Sequence, residues 1–293
     1  MQDKPDNAVL IVGCGDVGRR VAALLQSARR RPTCIVRSSG SRDALLAAGF
    51  EARCIDLDGG AHGDGWSSGY SEIYYFAPPP PAGDTDPRMT AFLQGLSCDN
   101  PPRRIVYIST SAVYGDCRGE WITEAQPLNP ATARGQRRLD AEQQLTAWCG
   151  QHGCEWTLLR VPGIYGPGKL PLERLRQGLP VLRETDAPYT NRIHVDDLAA
   201  ICVAAMSSRF CNTVYNISDG KPSNMTDYFF RVADAAGLPR PREVSREEAQ
   251  RVLSPGMLSF LNDSRRMDNS RLLEELGITL QYPDLDAGLA SCF

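Results

Sequence analysis

Ala8-Val9-Leu10-Ile11-Val12-Gly13-Cys14-Gly15-Asp16-Val17-Gly18-Arg19-Arg20-Val21-Ala22-Ala23-Leu24-Leu25 reads, in that order, as a buried strand, a glycine turn and an amphipathic helix. Val9 to Val12 carry no polar break, as expected of a parallel strand covered on both faces. Gly13, Gly15 and Gly18 fit G-x-G-x-x-G. The first glycine permits the tight turn, the second admits a pyrophosphate to the backbone, and the third lets the helix lie close on the strand. Gly13, Cys14, Gly15, Asp16, Val17 and Gly18 are therefore the candidate phosphate cradle, with backbone N–H groups and the positive end of the helix dipole facing the anion. A glycine turn of this kind also occurs without a ligand; the strand before it and the helix after it favour a bound dinucleotide.

The chain has 293 residues, 42% of them hydrophobic, enough for a full α/β core with a smaller appendage. A formal net charge of −3 argues against nucleic acid as a partner. Arg29-Arg30-Arg31 reads as a solvated helix end. No apolar run approaches the ~20 residues of a membrane span, and Met1 to Asn7 lack the features of a signal peptide, so a cytoplasmic protein without membrane contact is expected. The ten cysteines are scattered with no C-x-x-C pair, so neither a metal site nor a disulfide framework is expected.

Pro32 to Val36 forms a second strand ending at Arg37-Ser38. An acidic residue at this place would bind the adenosine ribose, whereas an arginine pairs with a 2′-phosphate, so Arg37 and Ser38 favour NADP over NAD. Arg37 also has a plain reading as a surface residue ending a strand. Asp43 to Gly49 reads as a short helix, and Glu51 to Ile55 as a third strand delivering Asp56-Leu57, where the aspartate either meets the adenine amino group or caps the next turn. Glu72 to Phe76 is a fourth strand stopped by Ala77-Pro78-Pro79-Pro80-Pro81. Phe76, Ala77 and Pro78 fall where a dinucleotide would pass.

Asp84 to Leu96 reads as helix and Arg104 to Ile108 as the fifth strand, ending in the hydroxyl-rich turn Ser109-Thr110-Ser111-Ala112-Val113-Tyr114-Gly115. A long helix follows over Arg134 to Cys149, then a sixth strand over Thr157 to Val161 and the loop Pro162-Gly163-Ile164-Tyr165-Gly166-Pro167-Gly168. Leu198 to Met206 reads as a helix capped by Asp196 or Asp197, and Val214 to Ile217 as a strand. The expected architecture is a doubly wound, parallel-sheet Rossmann α/β fold over residues 1–166 and 191–217, with a smaller α+β substrate side over 167–190 and 218–293.

In this order, Gly13-x-Gly15-x-x-Gly18, Asp56-Leu57, Ser109 to Gly115, Arg160-Val161-Pro162 to Gly168, His194-Val195-Asp196-Asp197 and Tyr215-Asn216-Ile217 resemble the extended short-chain dehydrogenase/reductase family of NAD(P)-dependent epimerases and dehydratases. The resemblance implies a small-molecule substrate, cofactor contacts that include Arg138 and Tyr165, and a homodimer built on the helices after the fourth and fifth strands. It also implies a Tyr-x-x-x-Lys pair on the long helix, with a Ser or Thr on the preceding turn. Thr110 matches that Ser or Thr, with Ser111 beside it. Counting back from Glu142, however, Arg138 fills the lysine place and Arg134 the tyrosine place. No tyrosine lies between Tyr114 and Tyr165, and the lysines are Lys4, Lys169 and Lys221. The family's glycine spacing differs as well, since Val12 stands where its first glycine would be.

An arginine stays protonated near neutrality, its pKa lying above ~12, but it donates hydrogen bonds to oxyanions. Thr110, Ser111, Tyr114, Arg134 and Arg138 are thus the catalytic candidates. Tyr165 reads as an aromatic wall with a possible proton role, and His194 as a structural tether. Arg192, Lys169, Asn191 and Arg266 are candidates to line a cleft for an anionic or sugar-like ligand. Three readings follow: an oxidoreductase or epimerase-like enzyme with altered proton handling, a non-catalytic NADP-binding regulatory or redox-sensing module, and a dinucleotide-free hydrolase or lyase, for which no base is visible.

Overall fold

The computed structural model describes residues 8–59 and 66–293, so the leader reading of Met1 to Asn7 lies outside the described residues. Seven strands form one sheet: β1 (Val9–Val12), β2 (Pro32–Val36), β3 (Glu51–Cys54), β4 (Glu72–Tyr75), β5 (Arg104–Thr110), β6 (Glu155–Val161) and β7 (Thr213–Asn216). Their spatial order is β7-β6-β5-β4-β1-β2-β3, and every neighbouring pair is parallel. The chain moves outward from β1 through β2 to β3, then returns to the other side of β1 with β4. The direction of winding therefore reverses between β1 and β4, and a crevice opens at their carboxyl ends.

Helices cover both faces, as parallel strands require. They include α1 (Asp16–Ser27), α2 (Ser39–Ala47), α3 (Pro87–Gln94), α4 (Ala133–His152) and α5 (Val195–Ser207), whereas α6 (Met225–Ala235) packs away from the sheet. Alternation along β1 divides the core: Val9 and Ile11 face Val21, Leu25 and Ile201, while Leu10 and Val12 face Tyr75, Phe92 and Leu145. A separate apolar cluster joins Tyr165, Leu175, Phe229, Val232, Leu285 and Leu289, from the parts of the chain that follow β6 and β7. Among the described residues, no helix is long and apolar enough to cross a membrane.

Several boundaries differ from the sequence expectation for local reasons. The helix after β2 starts at Ser39 rather than Asp43, because the Ser38 hydroxyl accepts the Ser41 N–H and caps it. The run after Ile108 continues as strand to Thr110, followed by one 3-10 turn over Ser111–Tyr114. In the loop after β6, Gly163–Tyr165 pairs in parallel with Arg192–His194. The cap of α5 is neither aspartate. His194 Nδ1 accepts the Asp196 N–H at 3.3 Å, Asp196 pairs with Arg20, and Asp197 accepts the N–H groups of Gln281 and Tyr282.

A buried polar network locks α4 onto the sheet. Glu142 on α4 meets Arg160 of β6 at 2.8 and 3.2 Å and accepts the Ser109 hydroxyl. Arg160 also donates to the Tyr114 hydroxyl at 3.1 Å, which in turn donates to Asn216 at 2.7 Å. Both ionic side chains are almost wholly enclosed, so removing one leaves a buried, unmatched charge. Glu142→Ala is expected to lower the free energy of unfolding by about 3–5 kcal/mol, read from urea denaturation. A loss below about 1 kcal/mol, the range of exposed pairs, would contradict the structural role given to it.

Candidate active site

Each glycine of the opening turn has a distinct geometric reason. Gly13 has φ +85°, and a Cβ there would lie 2.7 Å from the Ala77 Cα and 2.8 Å from the Phe76 carbonyl carbon. Around Gly15 a Cβ would meet nothing within 4 Å, so the space beside it is open. At Gly18 it would press on Cys14 Sγ, the Gly13 oxygen and Ile11 Cγ2, each at 3.3 Å. The turn is also folded on itself. Gly13 and Cys14 both donate to the Ile35 carbonyl at 3.0 Å, and Gly15 donates to the Gly13 carbonyl at 2.7 Å. The donors left over are the N–H groups of Asp16, Val17 and Gly18 in the first turn of α1, where Gly15 supplies no side-chain cap. Among the described residues they have no acceptor, so of the six residues expected to hold phosphate only these three keep N–H groups for it. The Asp16 carboxylate is matched by Lys169 at 3.0 Å and Arg20 at 3.4 Å.

At the end of β2 the Arg37 side chain is 69% exposed, and its carboxylate neighbour, Asp58, is 3.9 Å away. Asp58 is already gripped by Arg88 at 2.5 and 2.7 Å, and that bond holds its carboxyl below the ordinary range. Asp56 accepts the Asp58 N–H at 3.1 Å, which is the turn-capping alternative of the sequence reading. Leu57 packs against the apolar layer containing Val12 and Tyr75, and Phe76 lies against Tyr74 with ring centroids 5.8 Å apart.

Ala77 is the residue pressed against Gly13, and the next residue, Pro78, opens a cavity of about 560 Å³. Segments following β4, β5 and β6 line it, together with chain from the second apolar cluster. Thr110, Ser111, Arg134, Arg138, Pro78 and Tyr165 all reach this space. Arg138 is fixed there, donating to the Ile108 carbonyl at 2.9 Å and the Tyr107 hydroxyl at 3.1 Å. Thr110 accepts the Ala112 N–H through its hydroxyl, capping the 3-10 turn. Burial lowers the pKa of Arg134, with Asp263 acting in the opposite sense.

Tyr114 is not part of the cavity lining. It sits in the Glu142–Arg160 network, where burial pushes its phenol up to about 12. Tyr165 contributes wall rather than a free phenol, since its hydroxyl donates to the Asp284 carbonyl at 3.1 Å and burial raises its pKa. His194 is fully buried, with Tyr165 and Tyr282 rings 5.3 and 3.8 Å away. Its Nε2 lies 3.2 Å from the Ser291 hydroxyl, but Nδ1 already accepts an N–H. The imidazole proton is thereby assigned to Nε2, so the ring donates toward Ser291 and cannot take its proton.

Two cavity arginines escaped the sequence reading, as did the rings of Tyr189, Tyr228 and Phe229 and the carboxylate of Asp263. Arg137 is enclosed, donates to the Gly83 carbonyl and shares the first turns of α4 with Arg134 and Arg138. Arg265, not Arg266, faces the cavity; Arg266 lies over the rings of Trp121 and Tyr189. The helical spacing of Arg134, Arg137 and Arg138 was a usable signal for the first. The choice between adjacent arginines had none. Five guanidiniums thus line a space whose lining holds one carboxylate, Asp263, itself 2.7 Å from Arg265.

The profile of the NAD dependent epimerase/dehydratase family matches residues 84–218, the segment carrying the cavity floor and α4. A conserved protein of unknown function from Silicibacter pomeroyi is 30% identical, covers 97% of both chains and superposes with a TM-score of 0.82. The chain belongs to the NAD-dependent epimerase/dehydratase family. UDP-glucose 4-epimerase from Thermotoga maritima, solved with UDP-glucose, superposes with a TM-score of 0.75 over 96% of each chain at 17% identity, a likeness of fold. Protein YeeZ of Escherichia coli K12 is 27% identical over 183 residues, which span 62% of this chain and 59% of that protein.

Immediately behind the cavity, Asp219 donates its N–H to the Arg192 carbonyl and accepts the Lys221 N–H, each at 2.9 Å. Burial pushes its carboxyl up to about 6. The folded chain then holds a proton that the unfolded chain has released once the pH passes about 4. Stability from this group is accordingly greatest below pH 4 and is lost as the pH rises through 6, by up to about 3 kcal/mol. Asp219→Asn removes that loss. Urea midpoints at pH 5 and pH 7.5 should therefore fall more between the two conditions for the natural chain than for the variant, and parallel shifts would contradict the assignment.

Proposed function

We propose that the chain is an NADP(H)-dependent oxidoreductase that works by reducing a small-molecule acceptor. The observation that carries this reading is the uncapped amino end of α1 beside open space at Gly15, joined through Gly13 and Ala77 to the arginine-lined cavity. Asp16, Val17 and Gly18 would hold the pyrophosphate through their N–H groups. Arg37 and Ser38, at the end of β2, would take a 2′-phosphate, Arg37 being exposed and beside a carboxylate already bound by Arg88. Arg138, anchored at the end of β5, would hold the nicotinamide ribose.

NADPH, when bound, supplies a hydride. The direction of use follows from the chain's own groups. Oxidising an alcohol requires a base for its hydroxyl proton, and the cavity's guanidiniums remain protonated. The Tyr114 phenol lies in a buried network, the Tyr165 phenol is committed to Asp284, and burial raises the Tyr228 phenol above its ordinary pKa, which leaves it a donor rather than a base near neutrality. The floor offers donors in Thr110, Ser111, Arg134 and Arg138, which suit an oxygen gaining negative charge as it is reduced. Solvent water then supplies the proton. This argues against epimerisation, which needs an oxidation as well as a reduction. The same shortage of a proton-transfer side chain supports a second reading, cofactor binding without turnover.

Fluorescence titration with NADPH and NADH tests the cofactor assignment. NADPH is expected to bind at least about ten-fold more tightly, the worth of one charge-assisted contact of about 1.5 kcal/mol. Arg37→Glu should remove the preference while leaving NADH binding intact. Tighter binding of NADH by the natural chain would overturn the assignment.

A further inference from the structure

Six arginines are buried: Arg88, Arg104, Arg137, Arg160, Arg192 and Arg265. Four have a carboxylate, namely Asp58 for Arg88, Glu155 for Arg104, Glu142 for Arg160 and Asp263 for Arg265. Among the described residues, Arg137 and Arg192 have none, and both line the cavity. Arg192 is nonetheless held firmly by neutral groups. It donates to the Thr190 hydroxyl at 2.7 Å and the Ser223 hydroxyl at 3.5 Å, and its guanidinium carbon lies 3.9 Å from the centroid of the Tyr228 ring. Asp219, although directly behind it in the chain's path, does not come within ion-pair distance.

We infer that Arg192, flanked by Tyr228, is an anion subsite that takes the carboxylate or phosphate group of the acceptor, and this rests on the reductase reading of the same cavity. A buried charge without a counter-ion is costly, and a bound anion removes that cost. The effect of burial on Arg192 agrees, lowering its pKa to about 10. The lining provides no alternative partner, because its carboxylate, Asp263, is engaged by Arg265. A guanidinium fixed in orientation also matches the planar, two-point geometry of an oxyacid. Among the described residues the Tyr228 hydroxyl makes no hydrogen bond, so it is available to donate to the same group.

Calorimetric titration of the NADPH-loaded full chain, in low-chloride buffer, with inorganic phosphate and separately with benzoate tests this without needing the natural acceptor. Saturable binding of at least one probe is expected, with phosphate or benzoate alone marking which oxyacid the subsite prefers. Arg192→Gln should weaken it at least ten-fold, Arg192→Lys should recover part of it, and Arg240→Gln, at an exposed pair with Asp234 away from the cavity lining, should leave it unchanged. If the glutamine variant does not fold, Thr190→Val, which releases the guanidinium from its 2.7 Å bond, should weaken the same binding several-fold. No saturable binding of either probe by the natural chain, or equal binding by Arg192→Gln, would overturn the subsite. NADPH fluorescence in the same samples reports cofactor loading separately, so a failure there counts against the cofactor reading and not against Arg192.

Discussion

The turn at Gly13 packs directly on the backbone at Ala77, and the functional region depends on that contact. It brings the end of β1 against the end of β4, the two strands between which the direction of winding reverses. A side chain at position 13 would separate them, because the backbone beneath is rigid and φ is positive. With the two ends closed together, the first turn of α1 faces open space on one side, and the proline run from Pro78 forms a wall of the cavity on the other. Arg88 and Arg137 steady that wall by donating to the carbonyls of Pro78 and Gly83. The uncapped N–H donors of α1 and the arginine-rich cavity are therefore two consequences of one close approach.

The chemistry of the cavity follows from what its donors cannot do. Guanidinium groups at positions 134 and 138 hold oxyanions but do not accept protons. The phenols nearest in sequence are committed elsewhere, Tyr114 to Asn216 and Tyr165 to Asp284. The His194 and Ser291 pair has the wrong proton placement for a nucleophile and base. A site made of donors suits anionic ligands, as the proposed reduction of an acceptor requires, and the unmatched charges of Arg137 and Arg192 point the same way.

Most of the sheet was legible because its signals are local. Val9 to Val12, Pro32 to Val36 and Glu72 to Phe76 are short apolar runs bounded by glycine, proline or polar residues, and each became a strand within a residue of its expected ends. The features that were missed depend on partners distant in sequence. Asp196 and Asp197 look like helix caps until Arg20 and the 281–282 backbone take them. Tyr114 looks available until Arg160 and Asn216 close around it. Arg265 and Arg266 are equivalent in the sequence, and only packing against Trp121 and Tyr189 turns one outward and leaves the other on the cavity.

The most direct measurement is a crystal structure of the chain grown with NADPH. The account predicts the pyrophosphate on the N–H groups of Asp16, Val17 and Gly18, the 2′-phosphate at Arg37, and the nicotinamide ring beside Thr110 and Arg138. Density showing no dinucleotide at the glycine turn, or a nicotinamide ring flanked by a tyrosine and a lysine that could move protons, would contradict it.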